Sequence, residues 1–124
     1  MRSVKADFNF VGDREFFVSP AESFGYGTHV HGSPNFVFQW ILEGSRVWQL
    51  LPPSREAAER MLPVEVSTDD ASYAFSRAPV EVADEFPVFL AELGPGDLLY
   101  VPVDYIHLVY SHSDSVPIAV HCLR

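Results

Sequence analysis

Cationic residues and cysteines are scarce in this sequence. Lys and Arg together number 8 against 17 Asp and Glu, which gives a formal net charge of −9 at pH 7. Nucleic-acid binding needs clustered basic side chains for the phosphates, so we predict no nucleic-acid partner. Cys122 is the only cysteine, which excludes an internal disulfide and a multi-cysteine zinc site and is typical of a reducing cytoplasm.

Long apolar runs are also lacking. No stretch approaches the roughly 20 apolar residues that cross a bilayer as a helix. Residues 1–7 contain no apolar core of the length that a signal peptide needs. We therefore expect no membrane partner and a cytoplasmic location. No Ser-His-Asp order and no phosphate-binding glycine loop stands out, so nothing in the sequence favours a hydrolase or a nucleotide-binding enzyme.

Apolar and aromatic residues, in contrast, are abundant. Hydrophobic residues make up 48% of the chain, and Phe alone occurs 10 times. Aromatic and β-branched residues dominate this apolar set, which favours strands over helices. A length of 124 residues matches one typical domain. We therefore predict a single domain over residues 1–124 with an all-β fold.

Turn residues divide the chain into short strand candidates. One inserted helix is predicted at about residues 54–62, since Ser54 can cap its first turn and Pro63 follows its end. Residues 64–85 are interpreted as an irregular excursion, and residues 23–27 as a glycine-rich loop. The strand candidates are residues 15–19, 28–33, 35–42, 46–51, 86–92, 98–103, 107–111 and 116–123.

Five histidines are the candidates for chemistry: His29, His31, His107, His112 and His121. Side chains alternate between the two faces of a strand, so His29 and His31 share a face, and a common pocket with His107 and His121 is geometrically allowed. His112 falls on the face opposite to His107 and is expected to be a solvated turn residue. Neutral imidazole is a good ligand for Fe, Zn, Cu and Ni, so the pattern predicts a metal site.

Two motifs, in this order, resemble the two halves of a jumonji-C or cupin-like oxygenase core. The first is Thr28-His29-Val30-His31-Gly32-Ser33, followed by Gly44-Ser45-Arg46-Val47-Trp48 and Leu51-Pro52-Pro53. The second is Gly96-Asp97-Leu98-Leu99-Tyr100-Val101-Pro102, with His107 five residues after the proline. The resemblance implies a double-stranded β-helix (jelly-roll, cupin) barrel with one short inserted helix.

The resemblance also implies a site. This family holds Fe(II), or another divalent transition metal, with a His-x-Asp/Glu pair and a distal His, and 2-oxoglutarate binds beside the metal. His31 falls at the first ligand position and His107 at the distal one. Arg46 falls where the family carries a basic residue for the far carboxylate of 2-oxoglutarate, and Thr28 where a threonine lines the cosubstrate pocket. His121 falls where many members have Asn.

Ser33 departs from the family pattern, because it stands where the carboxylate ligand is expected. A hydroxyl is a poor ligand for Fe(II), and the site loses one negative charge. Three outcomes stay open from the sequence: His29 or His121 completes a three-histidine site, water or an anion takes the vacant or weak position, or the barrel no longer binds metal.

Three functions follow from these patterns. The first is a metal-dependent oxygenase-like enzyme of the jumonji-C/cupin type that acts on a small molecule or a peptide. The second is a plain cupin metalloenzyme with a multi-histidine site and no 2-oxoglutarate, and the third is a non-catalytic cupin binding module. An inward-facing Arg46 favours the first over the second. A barrel this small and aromatic is also predicted to cover an exposed edge or patch by forming a homodimer.

Overall fold

The structure of the chain is a computed structural model that describes residues 14–16, 19–24, 27–31, 35–64 and 73–123. Within these ranges most of the regular structure is β-strand, with one α-helix, α1, at Arg55–Arg60 and one 3-10 helix at Pro79–Val82. The strands are β1 (Arg14–Phe16), β2 (Ser23–Phe24), β3 (His29–Val30), β4 (Asn35–Glu43), β5 (Arg46–Leu51), β6 (Pro63–Val64), β7 (Tyr73–Phe75), β8 (Phe89–Leu93), β9 (Leu98–Val101), β10 (Ile106–Ser111) and β11 (Val116–Leu123).

The strands form two antiparallel sheets. The smaller sheet has the order β1-β11-β4-β9, and the larger has the order β6-β7-β3-β10-β5-β8, with β2 also paired to β10. Apolar residues alternate with other residues along β4, β5 and β10, which is typical of antiparallel strands that bury one face. The predicted all-β architecture is therefore confirmed.

The core lies between the two sheets. Val37 and Ile41 of β4 pack there against Trp48 and Leu50 of β5 and against Val101 of β9. In β5 the burial alternates from Arg46 to Leu50, so every second residue of this strand faces the barrel interior. The interior therefore receives Arg46, Trp48 and Leu50 in succession along its length.

A second apolar cluster fixes the inserted helix to the other face of the larger sheet. Ala57 and Met61 of this insertion pack against Leu51, Ile106 and Val82. The hydroxyl of Ser54 accepts a hydrogen bond from the Ala57 N–H at 3.2 Å, as the capping prediction requires.

The helix is shorter than the predicted residues 54–62. It ends at Arg60, because Leu62 adopts a left-handed backbone with φ of 57° and Pro63 already begins β6. None of the helices among the described residues has the length and apolar character needed to cross a membrane.

Two other segments contain more regular structure than predicted. The predicted loop at residues 23–27 includes β2, whose Ser23 and Phe24 pair with β10. The predicted irregular excursion at residues 64–85 includes β7, which pairs with β3 and β6, and the 3-10 helix. Residues 65–72 lie outside the described residues.

Candidate metal centre

His29 and His107 meet because their strands pair directly. β3 runs antiparallel to β10 with His29 opposite His107, and residues opposite each other in such a pair carry their side chains on the same face. The two Nε2 atoms lie 3.1 Å apart. The site is thus built by backbone register rather than by loop conformation.

Backbone carbonyls orient both rings. Nδ1 of His29 lies 2.9 Å from the Gly27 carbonyl oxygen, and Nδ1 of His107 lies 3.0 Å from that of Tyr105. A carbonyl oxygen only accepts hydrogen bonds, so both Nδ1 atoms are donors. Each Nε2 atom then carries the lone pair that can bind a metal. A metal-ligating histidine commonly donates a hydrogen bond from its other ring nitrogen to a backbone carbonyl in this way.

His31 completes the cluster. One ligand nitrogen from each of His29, His31 and His107 lies within 4.8 Å of the others. The ring of His31 is 5.0 Å from that of His29 and 5.2 Å from that of His107, between centroids. His107 is 2% exposed, whereas His29 and His31 are half-buried, so the cluster opens to solvent on the side of β3.

The spacing of these nitrogens suits a metal ion. Metal–imidazole bonds are about 2.0–2.1 Å long, so two nitrogens on one ion stand roughly 3–3.4 Å apart. The 3.1 Å separation of the His29 and His107 Nε2 atoms falls in that interval. Two neutral rings facing each other through lone pairs repel, and a cation between them removes that repulsion. The donor set therefore fits a divalent transition metal.

A small cavity adjoins the cluster. Its volume is about 10 Å³, on the order of the space that one water-sized occupant needs. His31 and His107 line it together with Tyr105 and Asp104. Asp104 has a φ of 67°, the left-handed region in which Asp is tolerated better than most residues. Asp104 itself is exposed, so it forms the solvent side of the cavity.

Arg46 also faces the barrel interior, and it is 6% exposed. Its Nε donates to the Ser111 hydroxyl at 3.2 Å, its Nη1 to Gln39 Oε1 at 2.9 Å, and its Nη2 to the Ser19 hydroxyl at 2.9 Å. Arg46 lies opposite Ser111 on β10, four residues from His107, or roughly 13 Å along the strand.

All three of these partners are neutral. Within the described part of the chain, the guanidinium of Arg46 forms no ion pair with a carboxylate. Burial lowers the pKa of Arg46 below its ordinary value, but a guanidinium still keeps its proton in proteins. The barrel therefore encloses an uncompensated positive charge.

Trp48 occupies the layer between Arg46 and the histidines. Its ring stacks on that of His107 with 5.2 Å between centroids and 30° between planes, and its Nε1 donates to Gln39 Oε1 at 3.0 Å. The sequence motifs do not single out Gln39. Only its position between Val37 and Ile41 on an inward-facing strand could have drawn attention to a polar residue in the core.

The remaining predicted site residues are not brought to the cluster by any described contact. Thr28 is buried, and its carbonyl accepts from the Phe75 N–H at 3.0 Å. His121 lies in β11 opposite Val37, in the smaller sheet, and its side chain is outside the described residues, as is Ser33. His112 is exposed and packs edge-on against Tyr110, which places it away from the histidine cluster.

The chain has two facing antiparallel sheets, and the ligand nitrogens of three histidines on their inner side lie close enough together to bind one metal ion. This arrangement defines a double-stranded β-helix protein, as predicted. Residues 3–124 match the sequence profile of the JmjC domain. The chain therefore belongs to the JmjC domain family.

Curated relatives agree with this assignment. The bifunctional lysine-specific demethylase and histidyl-hydroxylase NO66 of Drosophila persimilis is 32% identical over 99 residues, which cover 80% of this chain and 12% of that protein. The NO66 of Caenorhabditis elegans is 33% identical over 101 residues, covering 79% of this chain and 12% of the relative. The chain thus spans about an eighth of the length of these curated relatives.

The fold is shared with YcfD, a ribosomal oxygenase from Escherichia coli. The superposition has a TM-score of 0.60 and 19% sequence identity, and it covers 93% of this chain and 24% of that one. This similarity supports the jelly-roll fold of the chain.

Proposed function

We propose that this chain is the barrel of a JmjC-type metal-dependent oxygenase. The observation that carries the proposal is the convergence of His29, His31 and His107 on the same inner surface as the buried Arg46. A barrel kept only as a scaffold gains nothing from a buried guanidinium without a counter-ion, because burying an unpaired charge costs stability even when neutral groups accept its hydrogen bonds.

The three histidines are proposed as the metal ligands, with His31 and His107 in the positions that the family motif assigns. Fe(II) is the proposed ion, and imidazole ligands accept other divalent transition metals as well. An Fe(II) ion held in this way supplies the oxygen-activating chemistry of the class. The carbonyls of Gly27 and Tyr105 keep the ligand nitrogens of His29 and His107 aimed at one point.

Arg46 is proposed to bind the far carboxylate of 2-oxoglutarate. A guanidinium makes a two-pronged contact with a carboxylate, and the neutral surroundings of Arg46 leave its charge for such a ligand. Trp48 lies in the layer between Arg46 and His107, so a cosubstrate that reaches from one to the other contacts its indole. Thr28, buried one residue before His29, is proposed to line the same pocket.

A peptide is the proposed substrate class, with a small molecule as the alternative. The curated relatives are named for lysine demethylation and histidyl hydroxylation, and lysyl and histidyl groups are side chains of peptides and proteins. The net charge of −9 favours a neutral or cationic segment by long-range attraction. The single cysteine fits reaction in a reducing cytoplasm.

A plain cupin metalloenzyme without 2-oxoglutarate is the second candidate. It is favoured by one observation: the cluster contains three histidines and needs no carboxylate to reach the three protein ligands of an open metal site. Arg46 weighs against it, since a cupin without an oxoacid cosubstrate gains nothing from a buried cation.

The test is an anaerobic titration of the metal-free protein with Fe(II), with and without 2-oxoglutarate, followed by visible absorption. We expect a charge-transfer band that needs both additions, as for 2-oxoglutarate bound to protein-held iron. Tight metal binding without the band would support the plain cupin instead. Absence of specific metal binding would leave a non-catalytic binding module and overturn the proposal.

A further inference from the structure

Gln39 is a polar side chain in the centre of the core, and it is 4% exposed. It stands on β4 between the inward-facing apolar residues Val37 and Ile41. Its Oε1 accepts two hydrogen bonds, from Arg46 Nη1 at 2.9 Å and from Trp48 Nε1 at 3.0 Å. The guanidinium and the indole N–H can only donate hydrogen bonds, so the amide oxygen of Gln39, and not its amide nitrogen, must face them.

The neutrality of this acceptor matters. A glutamate at the same place would offer an oxygen to both donors, but it would also neutralise Arg46 in a buried, charge-assisted pair. The guanidinium makes one described hydrogen bond from each of its three nitrogens. Since it has five N–H groups, one on each terminal nitrogen stays available for a ligand.

We propose that Gln39 is a positioning residue that makes the barrel specific for a carboxylate-bearing ligand. It holds the Arg46 guanidinium and the Trp48 indole together while leaving the charge of Arg46 uncompensated. Because Trp48 stacks on His107, the same amide links the anion-binding end of the interior to the metal end. The inference rests on the proposed function and adds what selects the cosubstrate.

The test uses 2-oxoglutarate itself as the probe and Trp48 as the reporter. Trp40 lies on the outer side of β4, so Trp40→Phe leaves Trp48 as the only tryptophan without touching the interior. In that background we compare the parent, Gln39→Glu, Gln39→Met and Gln49→Glu. Gln49 faces outward and accepts from the Val80 N–H, so Gln49→Glu is the control for the added charge. Each protein is titrated with Mn(II) and then with 2-oxoglutarate, with fluorescence as the readout.

We expect 2-oxoglutarate affinity to fall in the order parent, Gln39→Met, Gln39→Glu, with Gln39→Glu weaker than the parent by more than about tenfold, because its carboxylate competes for Arg46. Mn(II) affinity should change far less. Gln49→Glu should match the parent. A purely structural role predicts the reverse order for the two Gln39 variants, since Glu keeps both hydrogen bonds and Met keeps neither.

Equal affinity of parent and Gln39→Glu would overturn this inference and leave the proposed function standing. Failure of the parent and of Gln49→Glu to bind 2-oxoglutarate at all, with metal bound, would overturn both. If Gln39→Glu does not fold, Gln39→Met decides: weaker 2-oxoglutarate binding with parent-like Mn(II) affinity supports the inference, and parent-like 2-oxoglutarate affinity or an equal loss of Mn(II) affinity contradicts it.

Discussion

The charges inside the barrel are the decisive feature at the scale of single residues. The proposed metal ligands, His29, His31 and His107, would be three neutral donors, and Arg46 adds a positive charge. Ser33 removes the carboxylate that the family places at that position. A bound divalent ion would therefore keep its full charge, and an interior with this much positive charge attracts a dianion more strongly than a carboxylate-containing site does.

The first prediction concerns the ligand set. His31→Ala and His107→Ala should each abolish specific metal binding, because each removes one of three converging nitrogens. His112→Ala should leave it intact, since His112 is exposed beside Tyr110. Metal content after dialysis, measured by elemental analysis on the three purified variants, checks this. Equal metal content in all three would contradict the site.

The second prediction concerns the missing carboxylate. Ser33→Asp should tighten Fe(II) binding by about tenfold or more if residue 33 stands beside the metal, because an anionic ligand then replaces a neutral one. Competition with a chelator measures the change, and Ser113→Asp serves as a charge-matched control. No gain in affinity would indicate that the three histidines hold the ion without a contribution from residue 33.

How much of the site could be predicted depends on which signal each residue leaves in the sequence. His31, His107 and Arg46 stand in motifs, and strand alternation adds His29, whose place opposite His107 follows from pairing. Gln39 belongs to no motif. Its contact with Arg46 and Trp48 depends on the pairing of side chains from β4 and β5, which the local sequence does not reveal. Alternation cannot tell which sheet a strand joins. β11 belongs to the smaller sheet, and the side chain of His121 lies outside the described residues, so its place in the pocket stays a prediction.

At the scale of elements, the turn between β4 and β5 depends on one close approach. Gly44 has a φ of 77°, and a Cβ built there would collide with the Asp114 carbonyl oxygen and stand 2.8 Å from the Ser115 Cα. Both contacts are with backbone, which cannot move aside cheaply. This turn therefore packs directly on the segment that joins β10 to β11.

The third prediction follows from that contact. Gly44→Ala should destabilise the fold by about 1–3 kcal/mol more than Gly27→Ala, as expected for overpacking. Gly27 has the same φ of 77° but nothing within 4 Å of its Cβ position, so it is a control for backbone strain alone. Urea denaturation of both variants gives the two free energies of unfolding. Equal values would show that the close approach relaxes without cost.

The predictability of the elements varied with their length. β5 and β11 have the bounds that the sequence predicts, because each is a long run between clear turn signals. β2 and β7 have two and three residues and depend on pairing with β10 and β3, so local sequence carries little trace of them. The helix is shorter than predicted, because the left-handed backbone of Leu62 starts the turn into β6.

For the whole molecule, the outer face of the smaller sheet is apolar at its β9 edge. Leu98 is 51% and Tyr100 49% exposed, and they lie opposite Trp40 and Phe38 of β4. Within the described residues β9 ends its sheet, and it carries no charged residue. An edge strand without charges is open to pairing with another strand.

The fourth prediction is that this edge forms the predicted homodimer, with β9 of one copy antiparallel to β9 of the other about a twofold axis. Leu98→Lys places a charge in the edge and should convert the dimer to a monomer, whereas Leu90→Lys, on the edge strand of the larger sheet, should not. Sedimentation velocity over a range of concentrations measures both. A wild-type protein that stays monomeric throughout would contradict the dimer, and dissociation by Leu90→Lys alone would assign it to β8 instead, on the sheet that carries the histidines.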